Sequence, residues 1–319
     1  MTDGRFAPSP TGPLHLGNLR TALLAWLFAR STGGRFRLRM DDLDPATARP
    51  EHERSQRRDL TALGLDWDGP VVRQSERREQ HDAAIDRLVA AGHTYACFCS
   101  RREIREAAVA PNGAFASASY PGTCRRLAPS ERAAREASGR TPALRLRSDG
   151  VRLAFRDRLH GLVDGVPDDL VLRRNDGTPA YNLAVVVDDA AQGVEEIVRG
   201  DDLLASTPGQ LGLAALLGLP APRYAHVPLV LAPDGSRLAK RHGAVTLADR
   251  RDRGQSARAV LSDLAASVGL AAGGEPVDLE RLLERFDPDA LPRVPWVLTE
   301  PELARTQAPG TVVSGSPCW

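Results

Sequence analysis

The apolar positions of the chain repeat with two periods, and the switches between those periods mark out the elements. Residues 5–7 read as a short strand, and a Pro- and Gly-rich loop (Pro8-Ser9-Pro10-Thr11-Gly12-Pro13) follows. A helical pattern then runs over residues 16–31, with Leu19, Leu23, Trp26 and Leu27 on one face and a stop at Gly33-Gly34. In residues 35–40, Phe36, Leu38 and Met40 alternate with arginines as in a strand, which closes on the acidic corner Asp41-Asp42-Leu43-Asp44. Two more helical stretches cover residues 51–63 and 75–91, the second opened by Ser75 as a capping residue with Glu76 and Glu79 in its first turn. This alternation predicts an α/β fold.

Near residue 95 the pattern breaks into closely spaced cysteines, a small-residue loop over 110–122 and arginine-rich segments, which read as an inserted subdomain. Apolar strands are expected to resume at 183–187 and again at 227–231, with a helix at 208–217 between them. Beyond Lys240 the pattern is mostly helical to about residue 297 and ends in a loose tail. The predicted division is therefore 1–95, first half of an α/β domain; 96–170, insertion; 171–235, second half; 236–298, a loop and helical segment; and 299–319, tail. The parallel sheet is of Rossmann type, split by the insertion.

Composition narrows the function classes. With 319 residues, 42% hydrophobic and 26% charged, the chain reads as globular and as about two domains. Its longest apolar run, residues 22–29, is too short to span a bilayer, and the first ten residues lack the basic and apolar regions of a signal peptide, so a cytoplasmic location with no membrane contact is expected. Four cysteines cannot form a disulfide framework here, and the crowding of Cys97, Cys99 and Cys124 suggests metal or packing.

Charge is uneven although the net value is only +1. Residues 97–160 hold 13 arginines against 6 acids, a surplus of 7, which is either a solvated surface or a patch that meets nucleic-acid phosphates. Of 42 basic residues, all but Lys240 are arginine. An ammonium is a compact, mobile point charge and a guanidinium a planar fork, so the one retained lysine is a functional candidate for phosphate chemistry.

The densest constellation runs from Pro8 to Asn18, where a Gly/Pro loop joins a strand to a helix start whose free N–H groups favour anions. His15 in the first turn is either structural or a donor to a phosphate oxygen, and Gly17 leaves room for a base or ribose to approach the backbone. This segment, FAPSPTGPLHLGN, resembles the HIGH-motif region of the glutamyl branch of class I aminoacyl-tRNA synthetases, and Arg237-Leu238-Ala239-Lys240-Arg241 resembles the mobile KMSKS loop of that family. The resemblance implies that His15, Gly17, Asn18 and Lys240 hold ATP, with its Mg2+, and that His15, Asn18 and Lys240 stabilise charge on the α-phosphate. It extends to Arg39–Asp44, to the segment 181–189 as a second substrate-lining strand, and to the arginine loop 197–202.

For the glutamate site the resemblance implies Arg5, Phe6, Ala7, Pro8, Ser9, Asp41, Tyr181 and Arg199. A ligand with two carboxylates and an ammonium calls for arginine forks, here Arg5 and Arg199, and an acid for the amine, here Asp41. Cys97, Cys99, Tyr120 and Cys124 resemble the ligands of one structural zinc ion in the insertion of this branch; tetrahedral zinc favours such thiolates. The sequence departs from the pattern at Asp41, where glutamate is common, at Ala239 in place of a serine, and at Gly209 where an arginine is frequent.

The chain ends soon after the KMSKS-like segment and so resembles the glutamyl-queuosine tRNA(Asp) synthetases, in which glutamate is activated without tRNA and esterified to queuosine; the basic stretch 97–160 of this chain is then expected to grip the anticodon stem. ATP, L-glutamate and queuosine-containing tRNA(Asp) are the implied partners. A minimal glutamyl-tRNA synthetase charging the tRNA 3′ end and a non-catalytic tRNA-binding paralogue are the alternatives. The oligomeric state stays open, with a monomer as the simplest expectation.

Overall fold

The computed structural model describes residues 1–100, 102–104, 120–148, 150–238, 242–243 and 245–303. The first half runs β1 (Gly4–Phe6), α1 (Leu16–Arg30), β2 (Phe36–Met40), α2 (Pro50–Ala62), β3 (Val72–Arg73), a 3-10 turn (Gln74–Arg77), α3 (Arg78–Ala90) and β4 (Thr94–Cys97). Beyond it come α4 (Pro129–Ala137), β5 (Ala143–Leu146), β6 (Leu153–Asp157), β7 (Gly161–Gly165) and β8 (Val171–Arg173). The chain continues through α5 (Tyr181–Ala191), β9 (Glu196–Gly200), α6 (Thr207–Leu216), β10 (Arg223–Val227) and β11 (Val230–Leu231). The remaining elements are α7 (Leu247–Asp252), α8 (Ala257–Ala266), α9 (Leu279–Arg285), β12 (Trp296–Val297) and α10 (Glu300–Leu303).

The main sheet has seven strands in the order β3-β2-β1-β9-β10-β6-β7, parallel except for the β6–β7 hairpin. The five strands β3-β2-β1-β9-β10 form the doubly wound core expected from the sequence, with the two halves of the chain meeting where β1 pairs with β9. A separate antiparallel sheet, β4-β5-β8, carries the insertion. The segment 96–170 is therefore not a single inserted unit. Its hairpin β6–β7 leaves the insertion and extends the main sheet through Tyr224 of β10, opposite Asp157.

Helix α1 is buried on nearly every side, not along the one face that its apolar spacing predicts. One side packs on the sheet, and the other is covered by α8 and α9, whose Val260, Leu261, Leu264 and Leu282 share its core. Phe28 meets Phe286 edge to face at 5.2 Å. Arg20, 2% exposed, bridges the layers by donating to the Pro228 carbonyl at 2.6 Å and to Ser267 Oγ at 3.1 Å, and burial pulls its pKa down to about 10. The C-terminal helices thus complete the core of the first half.

Three local expectations change. The segment 183–187 is not a strand but the middle of α5. Its buried positions, Leu183, Ala184, Val185, Asp188 and Asp189, lie on one side of a helix, and in a strand the two aspartates would point to opposite faces. Ser75 caps no helix: it sits in the 3-10 turn and donates to Asp42 Oδ2 at 2.6 Å, and α3 begins at Arg78. The expected strand at 227–231 straddles two, because β10 ends at Val227 and β11 turns to pair with β12. The tail beyond residue 303 lies outside the described residues. Among the described residues no helix is long and apolar enough to cross a membrane.

One close approach fixes the edge of the first βαβ unit. A Cβ on Gly34, just after α1, would collide with the backbone of Thr2. Gly34→Ala is expected to lower stability by about 3 kcal/mol, read as a fall of about 5 °C or more in the thermal midpoint. An unchanged midpoint would mean that this segment does not pack against Thr2.

Candidate active site

Where β1 and β9 lie side by side, the chain leaves toward opposite edges of the sheet, and such a switch point opens a crevice at the strand ends. A cavity of about 330 Å³ lies there. The end of β1 contributes Arg5, Phe6, Ala7, Pro8 and Ser9, and the start of α1 contributes His15, Gly17 and Asn18. Asp41 follows β2, Tyr181 opens α5 and Arg199 projects from β9 into the same space. All the described residues expected to hold glutamate or ATP are therefore brought together. Lys240 lies outside the described residues, while Arg237 and Leu238, just before it, line the cavity.

His15 is the N-cap of α1. Its Nδ1 accepts the Asn18 N–H at 3.2 Å, and Asn18 Oδ1 accepts the His15 N–H at 3.1 Å, a reciprocal capping box. Burial lowers the pKa of the imidazole, so it is neutral. With Nδ1 accepting, the proton resides on Nε2, which makes the ring a donor. A Cβ on Gly17 would come within 3.0 Å of both Cε1 and Nδ1 of this ring. Gly17 thus makes room for the imidazole itself as well as for a ligand.

The loop before the cap is held from outside. Gln56 of α2, 1% exposed, donates to the carbonyls of Ser9 at 3.0 Å and Gly12 at 2.8 Å, and the Asp41 N–H bonds to Pro8 O at 3.0 Å. The other wall is fixed where the Leu16 N–H donates to Val245 O at 2.8 Å. Arg237, mostly exposed, pairs with Asp202 at 3.0 Å.

Beneath the cavity lies a buried charge cluster. Arg5 grips Asp189 with Nε and Nη2, at 3.1 and 3.3 Å. Arg39, fully buried although its strand alternates in sequence, donates to Asp41 at 2.8 Å and to Asp189 at 2.6 Å. Asp189 is held below the usual carboxylate range because these two guanidiniums outweigh its burial. Asp41 differs: burial pushes its pKa up to about 6 against the pull of Arg39. Arg39 takes only Oδ1 of Asp41, and among the described residues no hydrogen bond engages Oδ2.

Arg199 is held in another way. Its Nε donates to His226 Nε2 at 3.0 Å, Nη1 to Gln210 at 2.8 Å and Nη2 to Thr207 at 2.8 Å, and its guanidinium lies over the Tyr224 ring. All three acceptors are neutral, and among the described residues no carboxylate bonds to it. Burial lowers its pKa, yet a guanidinium keeps its proton, so a positive charge with no carboxylate hydrogen-bonded to it faces the cavity. Such a charge is stabilised by an anionic ligand.

A larger trough, about 1110 Å³, adjoins this cavity through the shared wall of Ser9, Asp41 and Tyr181. It extends to Cys97 and Cys99 and carries Arg140, Arg145 and Arg174. Much of the arginine surplus of residues 97–160 is not free: Arg125, Arg140, Arg152 and Arg158 pair with Asp169, Glu103, Asp164 and Asp289.

At the far end of the trough the sulfurs of Cys97, Cys99 and Cys124, none in a disulfide, lie within 4.8 Å of one another. Cys99 and Cys124 are 3.4 Å apart, and the Tyr120 hydroxyl is 3.4 Å from Cys97 Sγ and 3.7 Å from Cys99 Sγ. Ligand atoms around a tetrahedral ion with metal–sulfur bonds of about 2.3 Å stand about 3.8 Å apart. The group therefore fits one metal ion. Arg145 stacks on the Tyr120 ring at 3.8 Å and fixes its orientation.

Several residues that shape the site are not among the candidates the sequence supplied: Gln56, Asp189, Thr207, Gln210, His226 and Asp157. The acidic pair Asp188-Asp189 at the end of an otherwise apolar helix is the one legible signal, because buried carboxylates demand cations. Gly209 has a local reason too, since a Cβ there would press on the Leu170 side chain at 3.2 to 3.3 Å.

Residues 2–302 match the family described as tRNA synthetases class I (E and Q), catalytic domain. The chain is 61% identical, over 93% of its own length and 93% of the relative's, to a Nocardia farcinica protein named Glutamyl-Q tRNA(Asp) synthetase. It is 51% identical, over 92% of its length and 95% of the relative's, to one of the same name from Symbiobacterium thermophilum. Among solved structures it is similar to a glutamate tRNA ligase of Elizabethkingia meningosepticum, in complex with its amino acid, with a TM-score of 0.79 and 27% identity over 95% of this chain and 68% of that one.

The thiol cluster can be tested without any assay of activity. Protein isolated in the absence of chelators is expected to carry about one thiophilic metal ion per chain by elemental analysis. Cys99→Ser and Cys124→Ser should lose most of it, and a metal-free wild type would leave the cysteines as packing only.

Proposed function

Because the chain belongs to the class I tRNA synthetase family for glutamate and glutamine, we propose that it activates L-glutamate with ATP and transfers it to queuosine in the anticodon of tRNA(Asp). The observation that carries this reading is the pairing of unlike charges in one cavity. Arg199 is a cation with no carboxylate bonded to it among the described residues, Arg5 offers the N–H groups that Asp189 leaves, and Asp41 presents a free carboxylate oxygen. A ligand with two carboxylates and an ammonium matches that set. Phe6, Ala7, Pro8 and Ser9 supply the wall and Tyr181 the hydroxyl at its rim.

ATP would lie across the start of α1, its phosphates toward the helix N-terminus and the His15 Nε2–H, with Gly17, Asn18 and Lys240 around it and Mg2+ accompanying the triphosphate. A carboxylate oxygen of glutamate attacks the α-phosphorus, the bond to the β-phosphate oxygen breaks, and pyrophosphate leaves. Negative charge grows on the α-phosphate oxygens in the transition state, where a neutral N–H donor and an ammonium stabilise it. Lys240 lies two residues beyond Leu238 in sequence, which favours this role. In the second step a hydroxyl of the queuosine diol attacks the acyl carbon, AMP departs, and an ester forms. The trough beyond Tyr181 suits the incoming nucleotide, whose phosphates would have to draw Arg140 and Arg174 from their ion pairs with Glu103 and Asp176. Zinc, held by Cys97, Cys99, Cys124 and Tyr120, would keep the trough's far wall rigid.

Glutamate-dependent exchange of pyrophosphate into ATP is expected without tRNA. Radiolabelled glutamate should appear on queuosine-containing tRNA(Asp) even when its 3′ end is truncated, and should vanish on tRNA lacking queuosine or oxidised by periodate. A requirement for the intact 3′ end would instead establish a minimal glutamyl-tRNA synthetase.

Asp41 gives the glutamate site a pH dependence with a definite sign. Its carboxylate is ionised above about pH 6 and can meet the ammonium; protonation on the acid side removes that contact. The KM for glutamate should therefore rise as pH falls below about 6, approaching tenfold per unit. Asp41→Asn should raise KM near neutrality and flatten the profile; an equally steep profile in that variant would assign the titration to another group.

A further inference from the structure

Behind Arg199, away from the cavity, His226 and Asp157 form a fully buried pair that neither the sequence motifs nor the reaction above accounts for. His226 stands opposite Arg199 in the parallel β9–β10 register, and Asp157 arrives at the end of β6, the strand of the hairpin that joins the main sheet. We propose that Asp157 and His226 are positioning residues for the substrate carboxylate: they hold one edge of Arg199 so that its remaining N–H groups face the ligand. The inference rests on the reading of the cavity as a glutamate site.

A guanidinium can only donate, so the 3.0 Å contact from Arg199 Nε requires a lone pair on His226 Nε2. The ring proton must then sit on Nδ1, where Asp157 Oδ2 accepts it at 2.6 Å. Asp157 is itself fixed, taking the N–H groups of Leu159 and His160 on Oδ1 and the His226 N–H on Oδ2. Thr207 Oγ, 3.1 Å from His226 Nε2, takes the neighbouring Nη2 proton, so the two acceptors together clasp the Nε/Nη2 edge of the guanidinium. The other tautomer, or an imidazolium, would set two donors face to face at that distance.

The relay has a chemical purpose. A carboxylate bonded directly to Arg199, as Asp189 is to Arg5, would compete with the carboxylate of the substrate. Interposing a neutral imidazole keeps the orientation and moves the anion one ring away, leaving the positive charge for the ligand.

The test uses the full-length protein in glutamate-dependent pyrophosphate exchange, with Asp157→Asn, His226→Phe and His226→Gln. In Asp157→Asn the amide N–H₂ would face Nδ1 and drive the proton to Nε2, against Arg199; in His226→Phe the acceptor is gone. Both are expected to raise the glutamate KM about tenfold or more while the ATP KM stays within about twofold. His226→Gln, whose carbonyl can accept from Arg199 Nε, should recover most of the loss. If Asp157→Asn does not fold, because its backbone partners also lose an acceptor, the Phe and Gln variants of His226 decide the question alone. A glutamate KM unchanged in His226→Phe, an equal rise for ATP and glutamate, or no rescue by Gln would overturn the inference. A wild type without glutamate-dependent exchange would instead sink the functional reading on which it rests.

Discussion

The contact of Asp189 with Arg5 and Arg39 is the constraint to which the other parts of the site answer. Two guanidiniums project from adjacent strands into a space with almost no water, and desolvated cations of this kind cost several kcal/mol each unless an anion meets them. That anion comes from the second half of the chain, on a helix that begins after the insertion has been completed. The pairing therefore does more than neutralise charge: it sets the distance between α5 and the ends of β1 and β2, and with it the width of the cavity. Removing one partner of such a group typically costs about 3–5 kcal/mol, far more than an exposed ion pair.

Within this frame the two ligand-facing arginines behave as opposites. Arg5 is half-satisfied before any ligand arrives, and Arg199 is oriented by neutral groups alone. One is a wall of fixed geometry; the other is a charge held in reserve. The same contrast separates the acids, since Asp189 is saturated and Asp41 retains an open oxygen and a raised pKa.

The Pro8–Asn18 junction, α1 and β2 were legible because their patterns are local: a strand, a Pro/Gly loop and a helix start within a few residues. The thiol cluster was legible for the same reason, its ligands lying within 28 residues of chain, Cys97 to Cys124, and the fold brings Tyr120 to the sulfurs. Helix α5 was misread because Val185-Val186-Val187 has strand propensity, and only the inward pull on Asp188 and Asp189 decides for a helix. That pull comes from Arg5, Arg39, Arg77 and His81, none of them near in sequence. The same distance hides Arg20, which bonds across 247 residues to Ser267, and Asp157, whose hairpin is embedded in a stretch of insertion-like composition. The arginine surplus was countable, but its neutralisation by Asp164, Asp169 and Asp289 was not, since those acids fall outside the stretch that was counted.

The burial of α1 on both sides has a mechanical corollary. A helix packed against a sheet on one flank and against α8 and α9 on the other cannot slide or roll without opening voids, and interiors packed at crystal density resist that. His15 is fastened to the first turn of this rod. A displacement of the C-terminal helices would therefore have to carry α1, and the histidine that caps it, along with them.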